Sequence, residues 1–267
     1  MKLTYEIHDL QPYINWAYFY HAWQLRNPEQ QQQTRAEAEQ TLARLDGKYH
    51  AYALFQLFEA HSEEDDVIVE DTPSKQGNNR WVLPLLRQQE TDSDHLCLSD
   101  FVHPQHDHIG IFATTVDLGL ETDFEQDAYQ KMMVQLLADR LAEAAAEKLH
   151  EEVRKNIWGY APNEHLTMEG MHAERFQGIR PAIGYPSLPD TSLNFVLDEL
   201  LQFKQIGIRL TESGAMKPHA SVSGLMIALP AAHYFSIGKI GEDQLRDYAH
   251  RRGLPVETLR KFLLTHL

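Results

Sequence analysis

Three stretches of the 267-residue chain hold side chains whose types and spacing can do chemistry. The first runs from Gly178 to Asp190 and sets one guanidinium, Arg180, and one phenol, Tyr185, among prolines at 181, 186 and 189. Each proline fixes a backbone angle, so the segment has little freedom to lose on binding. It reads either as a rigid ligand clamp or as a stiff corner between two elements. The second stretch gathers His103, His106, Asp107 and His108. That is a donor set suited to zinc or nickel, or a loop entering a strand in a chain with 15 histidines. The third, Gly214 to Gly224, is rich in small residues, with hydroxyls at Ser213, Ser221 and Ser223. Backbone there can approach a ligand closely, or pack as a loop between strands.

The sequence has no phosphate-cradling Walker loop, no Gly-x-Gly-x-x-Gly, no Gly-x-Ser-x-Gly and no His-Glu-x-x-His. With 39 acidic against 24 basic residues the formal charge is -15, which argues against nucleic acid or an anionic membrane as the main partner. The lone cysteine, Cys97, excludes an intrachain disulfide and fits a reducing compartment. No apolar run approaches a membrane span and the first residues carry no signal-peptide pattern, so the expected location is the cytoplasm.

Periodicity supplies the elements that must position these groups. Residues 9 to 25 read as one aromatic helix behind an Asp9 cap, with Trp16, Phe19, Tyr20 and Trp23 on it. A polar, Gln-rich break from Asn27 to Gln33 precedes a helix opened by the capping box Thr34 to Glu37 and closed by Gly47. The β-prone run from Tyr49 to Phe58 and Val67 to Val69 predict a hairpin across the acidic turn Ser62 to Asp66. A loop over Thr72 to Asn79 comes next, then strands at Trp81 to Leu83 and His108 to Thr115. Residues 124 to 158 form the longest helical pattern, on which Arg140, Glu143 and Glu147 have the spacing of an ordinary solvated charge ladder. Ser192 is expected to cap a helix that ends by Gly207. Short strands are expected over Ile208 to Met216, Ala220 to Leu229 and His233 to Ile240, with helices from Glu242 to Arg252 and Val256 to Leu264. The fold class expected is α+β: one domain over residues 1 to 267, an antiparallel or mixed twisted sheet with long flanking helices.

Several segments, taken in order, resemble the S-adenosylmethionine-binding activation (reactivation) domain of cobalamin-dependent methionine synthase. They are Tyr13 to Trp16 with Trp23, Cys97 to Phe101, Leu137 to Glu143, Trp158 to Glu164, Gly178 to Pro186, Leu210 to Met216, Ala220 to Gly224 and Gly238 to Ile240. The resemblance spans nearly the whole chain. The family's Arg-x-x-x-Gly-Tyr signature stands here as Arg180-Pro-Ala-Ile-Gly184-Tyr185. It implies that Arg180 takes the methionyl carboxylate of S-adenosylmethionine, that Ala182 offers main-chain groups near the adenine, and that Tyr234 and Phe235, at the start of a strand, face the sulfonium. Glu143 matches a family carboxylate near the ligand. Asn15 stands where the family has an Asp that pairs with the ligand's ammonium, so an amide replaces a charge. Lys217, Leu225 and Met226 replace aromatics on the side that would face the corrin.

The resemblance further implies an accessory domain of a methyltransferase in methionine biosynthesis, in free-standing form, with no catalytic residue and no metal of its own. Cobalamin (vitamin B12) would be carried by a separate methionine synthase chain. Its cob(II)alamin would be methylated with S-adenosylmethionine and an electron from a flavodoxin-like or other reductase. The alternative is a degenerate, non-catalytic binding module serving another corrinoid protein.

Overall fold

The computed structural model describes residues 1–70, 80–90, 92–263 and 266–267. The loop expected at Thr72 to Asn79, and Leu264 at the end of the last expected helix, lie outside the described residues. The chain opens with strand β1 (Lys2–Glu6), helix α1 (Ile7–Leu10), a 3-10 turn at Gln11–Tyr13 and helix α2 (Trp16–Ala22). The single aromatic helix expected from residue 9 is therefore broken. Pro12 lies in the first turn of the 3-10 segment, Ile14 turns extended, and Asn15 rather than Asp9 caps the aromatic helix α2. The Asn15 Oδ1 accepts from the Ala17 N–H at 3.1 Å.

Helix α3 (Pro28–Leu45) corrects a second expectation, because the polar run after Asn27 is its first two turns and not a break. The Asn27 Oδ1 accepts from the Glu29 N–H at 2.8 Å, and Pro28 fills a first-turn position whose missing N–H costs nothing. Strands β2 (His50–Glu63) and β3 (Asp66–Glu70) form the expected hairpin, and β4 (Arg80–Pro84) adds to β3. Strand β5 (Asp107–Val116) pairs the other edge of β2, from Ala51 opposite Val116 to Ala60 opposite Asp107.

After a short α4 (Gly119–Thr122) comes the long helix α5 (Ala128–Glu152), capped by Asp127 and ending in a π-turn at Val153–Ile157. Helices α6 (Met168–His172) and α7 (Leu193–Leu201) come next, then the two-residue strands β6 (Arg209–Leu210) and β7 (Met216–Lys217), paired with each other. The Ser192 side chain does not cap α7. Strand β8 (Ser221–Met226) joins β5, and helices α8 (Glu242–Arg252) and α9 (Val256–Phe262) close the chain. Residues 233–240, expected as a strand, form no ladder and run as an irregular segment.

The main sheet has the order β4-β3-β2-β5-β8, with β1 also on β2, and every ladder is antiparallel. Strand β5 is buried on both faces: Phe112 and Val116 meet α5, while Ile109, Ile111 and Ala113 meet α7 and the turn at Leu98–Phe101. Helix α5 brings Leu137, Leu141, Ala145 and Leu149 onto the first face, at the three-and-four spacing that gave it away in the sequence. Helices α8 and α9 pack separately around Leu86, Ile237 and Ile240. Among the described residues no helix is long and apolar enough to cross a membrane.

Cys97 sits wholly inside the core on the α7 side of the sheet, and burial pushes its thiol up to about 11. Thiolate is the reactive form. Native protein is expected to react with a disulfide reagent at neutral pH only as it unfolds, which stopped-flow absorbance with and without denaturant checks.

Candidate functional site

The stretch from Gly178 to Asp190 is laid against the outer edge of β8. Ile179 and Ile227 exchange backbone hydrogen bonds at 2.9 and 3.0 Å, the Leu225 N–H donates to the Pro181 carbonyl at 3.0 Å, and the Ile183 N–H donates to the Ser223 carbonyl at 2.9 Å. Pro181 thus occupies a place where only a carbonyl is wanted. Ala182, between those two bonds, is opposite Gly224 in a pair that exchanges none, so its own N–H and C=O point away from β8. Two glycines permit this approach. A Cβ on Gly224 would lie 2.2 Å from the Pro181 carbonyl oxygen and 2.8 Å from the Ala182 Cα, and Gly178 (φ +80) would put one 2.3 Å from the Ile227 oxygen. Gly224→Ala is expected to push the clamp off β8 and lower stability by about 1–3 kcal/mol; thermal unfolding reads the loss.

The far end of the clamp is tied down by a buried carboxylate. Asp190 accepts from the Ser192 N–H, the Ser192 hydroxyl and the Tyr248 hydroxyl, each at 2.8 Å, and Arg252 lies 3.6 Å away. Between these anchors Gly184 (φ +88) turns the chain, and its N–H donates to the Leu188 carbonyl at 2.8 Å.

The clamp closes one side of a cavity of about 520 Å³. Arg180, Pro181, Ala182, Tyr185, Pro186 and Ser187 line it from the clamp, and Arg140, Glu143 and Glu147 from one face of α5. Tyr13, Asn15 and Tyr18 come from the N-terminal segment, Met171, His172 and Glu174 from α6 and the residues after it, and Tyr234 and Phe235 from the irregular segment. Of the residues singled out in the sequence, Arg180, Ala182, Tyr185, Tyr234, Phe235, Glu143 and Asn15 meet around this space. Gly184 does not line it and stands behind the turn. Tyr234 and Phe235 arrive from an extended loop, not from the strand start expected.

Arg180 is nine-tenths buried, with its guanidinium 5.7 Å over the Phe112 ring and its Nη2 paired with Glu147 Oε1. Its N–H donates to the Tyr234 hydroxyl at 2.9 Å. Burial alone would favour neutral arginine, but Glu147, Tyr234 and Glu143 hold the guanidinium above its ordinary range. The Tyr185 hydroxyl donates to Glu143 and is raised by burial and by that carboxylate. Glu174 is raised by burial and then by the neighbouring Glu147 charge, against the pull of Arg180. Among the described residues neither Arg180 Nε nor Glu147 Oε2 has a hydrogen-bond partner, and both are buried. Both residues line the cavity, with these two atoms shut beneath its surface, so the wall keeps polar capacity that the protein itself does not use up.

Behind the wall, Arg154 is fully buried at the π-turn. It makes hydrogen bonds of 2.9 and 2.6 Å to Glu164 and lies 4.3 Å from the Phe176 ring centroid. That pair holds the residues leading to Glu174 in place. His150 beside it is kept neutral by burial and by the Arg154 and Arg180 charges.

The other two chemical stretches do not gather around this cavity. His106 and His108 pack ring against ring at 5.4 Å, the His103 Nδ1 accepts from the Gln105 N–H, and among the described residues no three His, Cys, Asp or Glu side chains are placed to hold a metal. Ser221 donates to the Pro218 carbonyl and Ser223 to Asn194, so those hydroxyls serve the loop before β8 and the packing of α7. Sequence reasoning passed over Glu147 as a site residue, and also Glu174, Tyr18 and His172. Glu147 had a signal, since it lies one helical turn beyond Glu143 and must share its face. Glu174 had none, because it is itself the left-handed residue after α6 (φ 54), a backbone state that its residue type does not announce.

Fold and site together define an α+β domain with a cavity lined by a guanidinium, carboxylates, ring hydroxyls and clamp backbone. The family described as "Vitamin B12 dependent methionine synthase, activation domain" matches residues 6–253. The chain is also similar to a solved structure titled "Crystal Structure of the MetH Reactivation Domain bound to AdoHcy", with a TM-score of 0.92 and 37% identity, over 100% of this chain and 90% of that one. The chain belongs to the activation-domain family of vitamin B12-dependent methionine synthase.

Proposed function

We propose that this chain binds S-adenosylmethionine in the Arg180 cavity and presents its methyl group for the reductive methylation of a cobalamin carried on a methionine synthase module outside these 267 residues. The observation that carries the reading is the buried, incompletely paired Arg180 guanidinium at the cavity wall. A guanidinium recognises a carboxylate through paired N–H donors, and among the described residues Glu147 is the one side chain that takes a hydrogen bond from this guanidinium, through Nη2, which leaves it capacity for an amino-acid tail. The N–H and C=O of Ala182 face away from β8 and suit the hydrogen-bonding edge of a purine, the C=O through the lone pair that the Tyr185 N–H, at 3.3 Å, leaves free. Tyr185, Tyr234 and Phe235 line the same cavity as Arg180, and ring faces there would favour a sulfonium. The similar solved domain is described as bound to AdoHcy, the product left when S-adenosylmethionine gives up its methyl.

Cobalamin, on its own module, supplies the nucleophile once an external one-electron reductase of flavodoxin type has reduced it. The sulfur–methyl bond would break as the methyl passed to that nucleophile, the sulfur would keep its electron pair as the thioether of S-adenosylhomocysteine, and no residue of this chain would need to move a proton. What the chain contributes is orientation and cover from water. The test supplies an isolated, oxidised cobalamin-bearing methionine synthase module with reductant and methyl-labelled S-adenosylmethionine, with and without this chain. Label on cobalamin only in its presence supports the proposal. Binding of the nucleoside without transfer leaves the degenerate binding module as the correct reading.

A further inference from the structure

Resting on the reading above for what the cavity holds, we infer that His150, shut behind the cavity wall, is a positioning residue: its neutral ring holds residues 158–177 against α5, and its protonation releases them together with the wall they give the site. Those residues supply Met171, His172 and Glu174 to the cavity and lead into the clamp at Gly178. Glu143, Glu147, His150 and Arg154 recur at three and four along α5 and its π-turn, so the helix face that meets the cavity at one end carries His150 and Arg154 at the other. His150 is fully buried, and both ends of the segment close on it. The Tyr160 hydroxyl lies 3.3 Å from its Nε2, and the Phe176 ring meets it edge-on with centroids 4.8 Å apart. Tyr160 also stands at the foot of the clamp, its hydroxyl 3.1 Å from where a Cβ on Gly178 would lie.

What surrounds the ring decides what a proton on it would do. Arg154 comes from the π-turn, Arg180 from the clamp and Tyr160 from the segment, while Glu164 is taken up by Arg154 and Glu147 by Arg180. Among the described residues no carboxylate pairs with His150, and its Nδ1 is buried without a partner. A protonated ring would sit out of water facing two guanidiniums, and burial, then Arg154, then Arg180 hold its pKa well below the ordinary value. Such a charge reaches water only if one side moves. Helix α5 is fixed in the core through Leu137, Leu141, Ala145 and Leu149, whereas the segment contributes the five-residue α6 and otherwise runs irregularly. Opened, the ring regains its ordinary pKa of about 6.5. The closed form therefore keeps its full advantage above that pH and loses it as pH falls toward the depressed closed value, up to about tenfold per pH unit. Opening also gives up the Arg154–Glu164 pair, which makes the opened form rarer without changing its slope on pH. Glu174, raised by burial and by Glu147, is another group of this wall that titrates on the acid side, and substitutions at His150 leave it in place.

Hydrogen exchange read by mass spectrometry, corrected for intrinsic rates, compares residues 158–177 with β5 at about pH 7.5 and about pH 5.5. In wild type the opened population of the segment is expected to rise about tenfold on that acid step while β5 keeps its protection. His150→Gln keeps a partner for the Tyr160 hydroxyl but takes up no proton, and His150→Phe keeps the packing alone; both are expected to change less than about twofold over the same step. Release of S-adenosylhomocysteine, followed by stopped flow, is expected to quicken about tenfold in wild type on the acid step and to stay within about twofold in either variant. The inference is overturned if the wild-type segment opens no more at the lower pH, if a folded variant keeps the wild-type pH dependence, or if the segment opens without faster release. Equal acid loss of protection in β5 marks global unfolding and overturns it as well. Wild-type protein that binds no S-adenosylhomocysteine at about pH 7.5 contradicts the proposed function instead, while the exchange comparison still decides for or against His150.

Discussion

Arg180→Ala is expected to weaken binding of S-adenosylhomocysteine by about 10- to 150-fold, while leaving 5′-methylthioadenosine within about twofold. The first figure comes from losing a charged hydrogen-bonded contact of about 1.5–3 kcal/mol. The second comes from the absence in methylthioadenosine of the carboxylate that the guanidinium would hold. The comparison matters because the substitution also strips Glu147 of its partner and so costs stability on its own account. A general loosening of the fold would weaken both probes together. Arg180→Lys should recover only part of the loss, since an ammonium supplies a point charge without the planar fork that serves Glu147 and a ligand carboxylate at the same time. Equilibrium dialysis with the two probes reads all of this, and equal loss of both by a folded Arg180→Ala protein would remove the carboxylate-anchor role.

Asp190→Ala is expected to destabilise the fold more than any other substitution in the clamp, by about 3–5 kcal/mol. Asp190 is 1% exposed, and it collects two hydroxyls, one backbone N–H and the nearby Arg252 guanidinium. Truncation leaves the Tyr248 hydroxyl buried without its acceptor and the Arg252 guanidinium without its neighbouring countercharge, which is costlier than never having built the pair. Because Asp190 pins the end of the clamp to α8, the folded fraction should also bind nucleoside less well. Asp190→Asn keeps the shape and an acceptor, and should fall between the two. Chemical denaturation gives the stability difference; a change below about 1 kcal/mol would show that Arg252 and Tyr248 find other partners.

Much of this architecture is legible in the sequence because period and burial agree. Helix α5 announces itself through Leu137, Leu141, Ala145 and Leu149, and the β2–β3 hairpin through β-prone runs on either side of an acidic turn. The clamp is legible for a different reason: three prolines and a signature arginine in one short segment are a statement about backbone stiffness that needs no tertiary knowledge. Failures come where tertiary contacts decide. The Gln-rich start of α3 has no apolar stripe to read, yet Asn27 and Pro28 form a helix start and later turns bury Ala38, Leu42 and Leu45. Residues 233–240 have strand-like composition but no neighbouring edge to pair with. They are held by contacts such as Ile237 N–H to the Pro186 carbonyl at 2.9 Å. Asn15 has the sequence position of a ligand residue, and the structure shows it capping α2 at the cavity rim, a local role that spacing alone does not disclose. The carboxylate next to Arg180 is disguised as one rung of a charge ladder, since sequence spacing cannot say which face of a helix meets a clamp 33 residues later.

The central claim is that the Arg180 cavity is a site for an adenosyl amino acid. It is tested most directly by calorimetric titration of the wild-type chain with S-adenosylhomocysteine. A single saturable site is expected, with the heat abolished by prior saturation with S-adenosylmethionine. Absence of heat up to about 1 mM ligand, where binding would be worth only about 4 kcal/mol, together with an unshifted melting temperature, would contradict it.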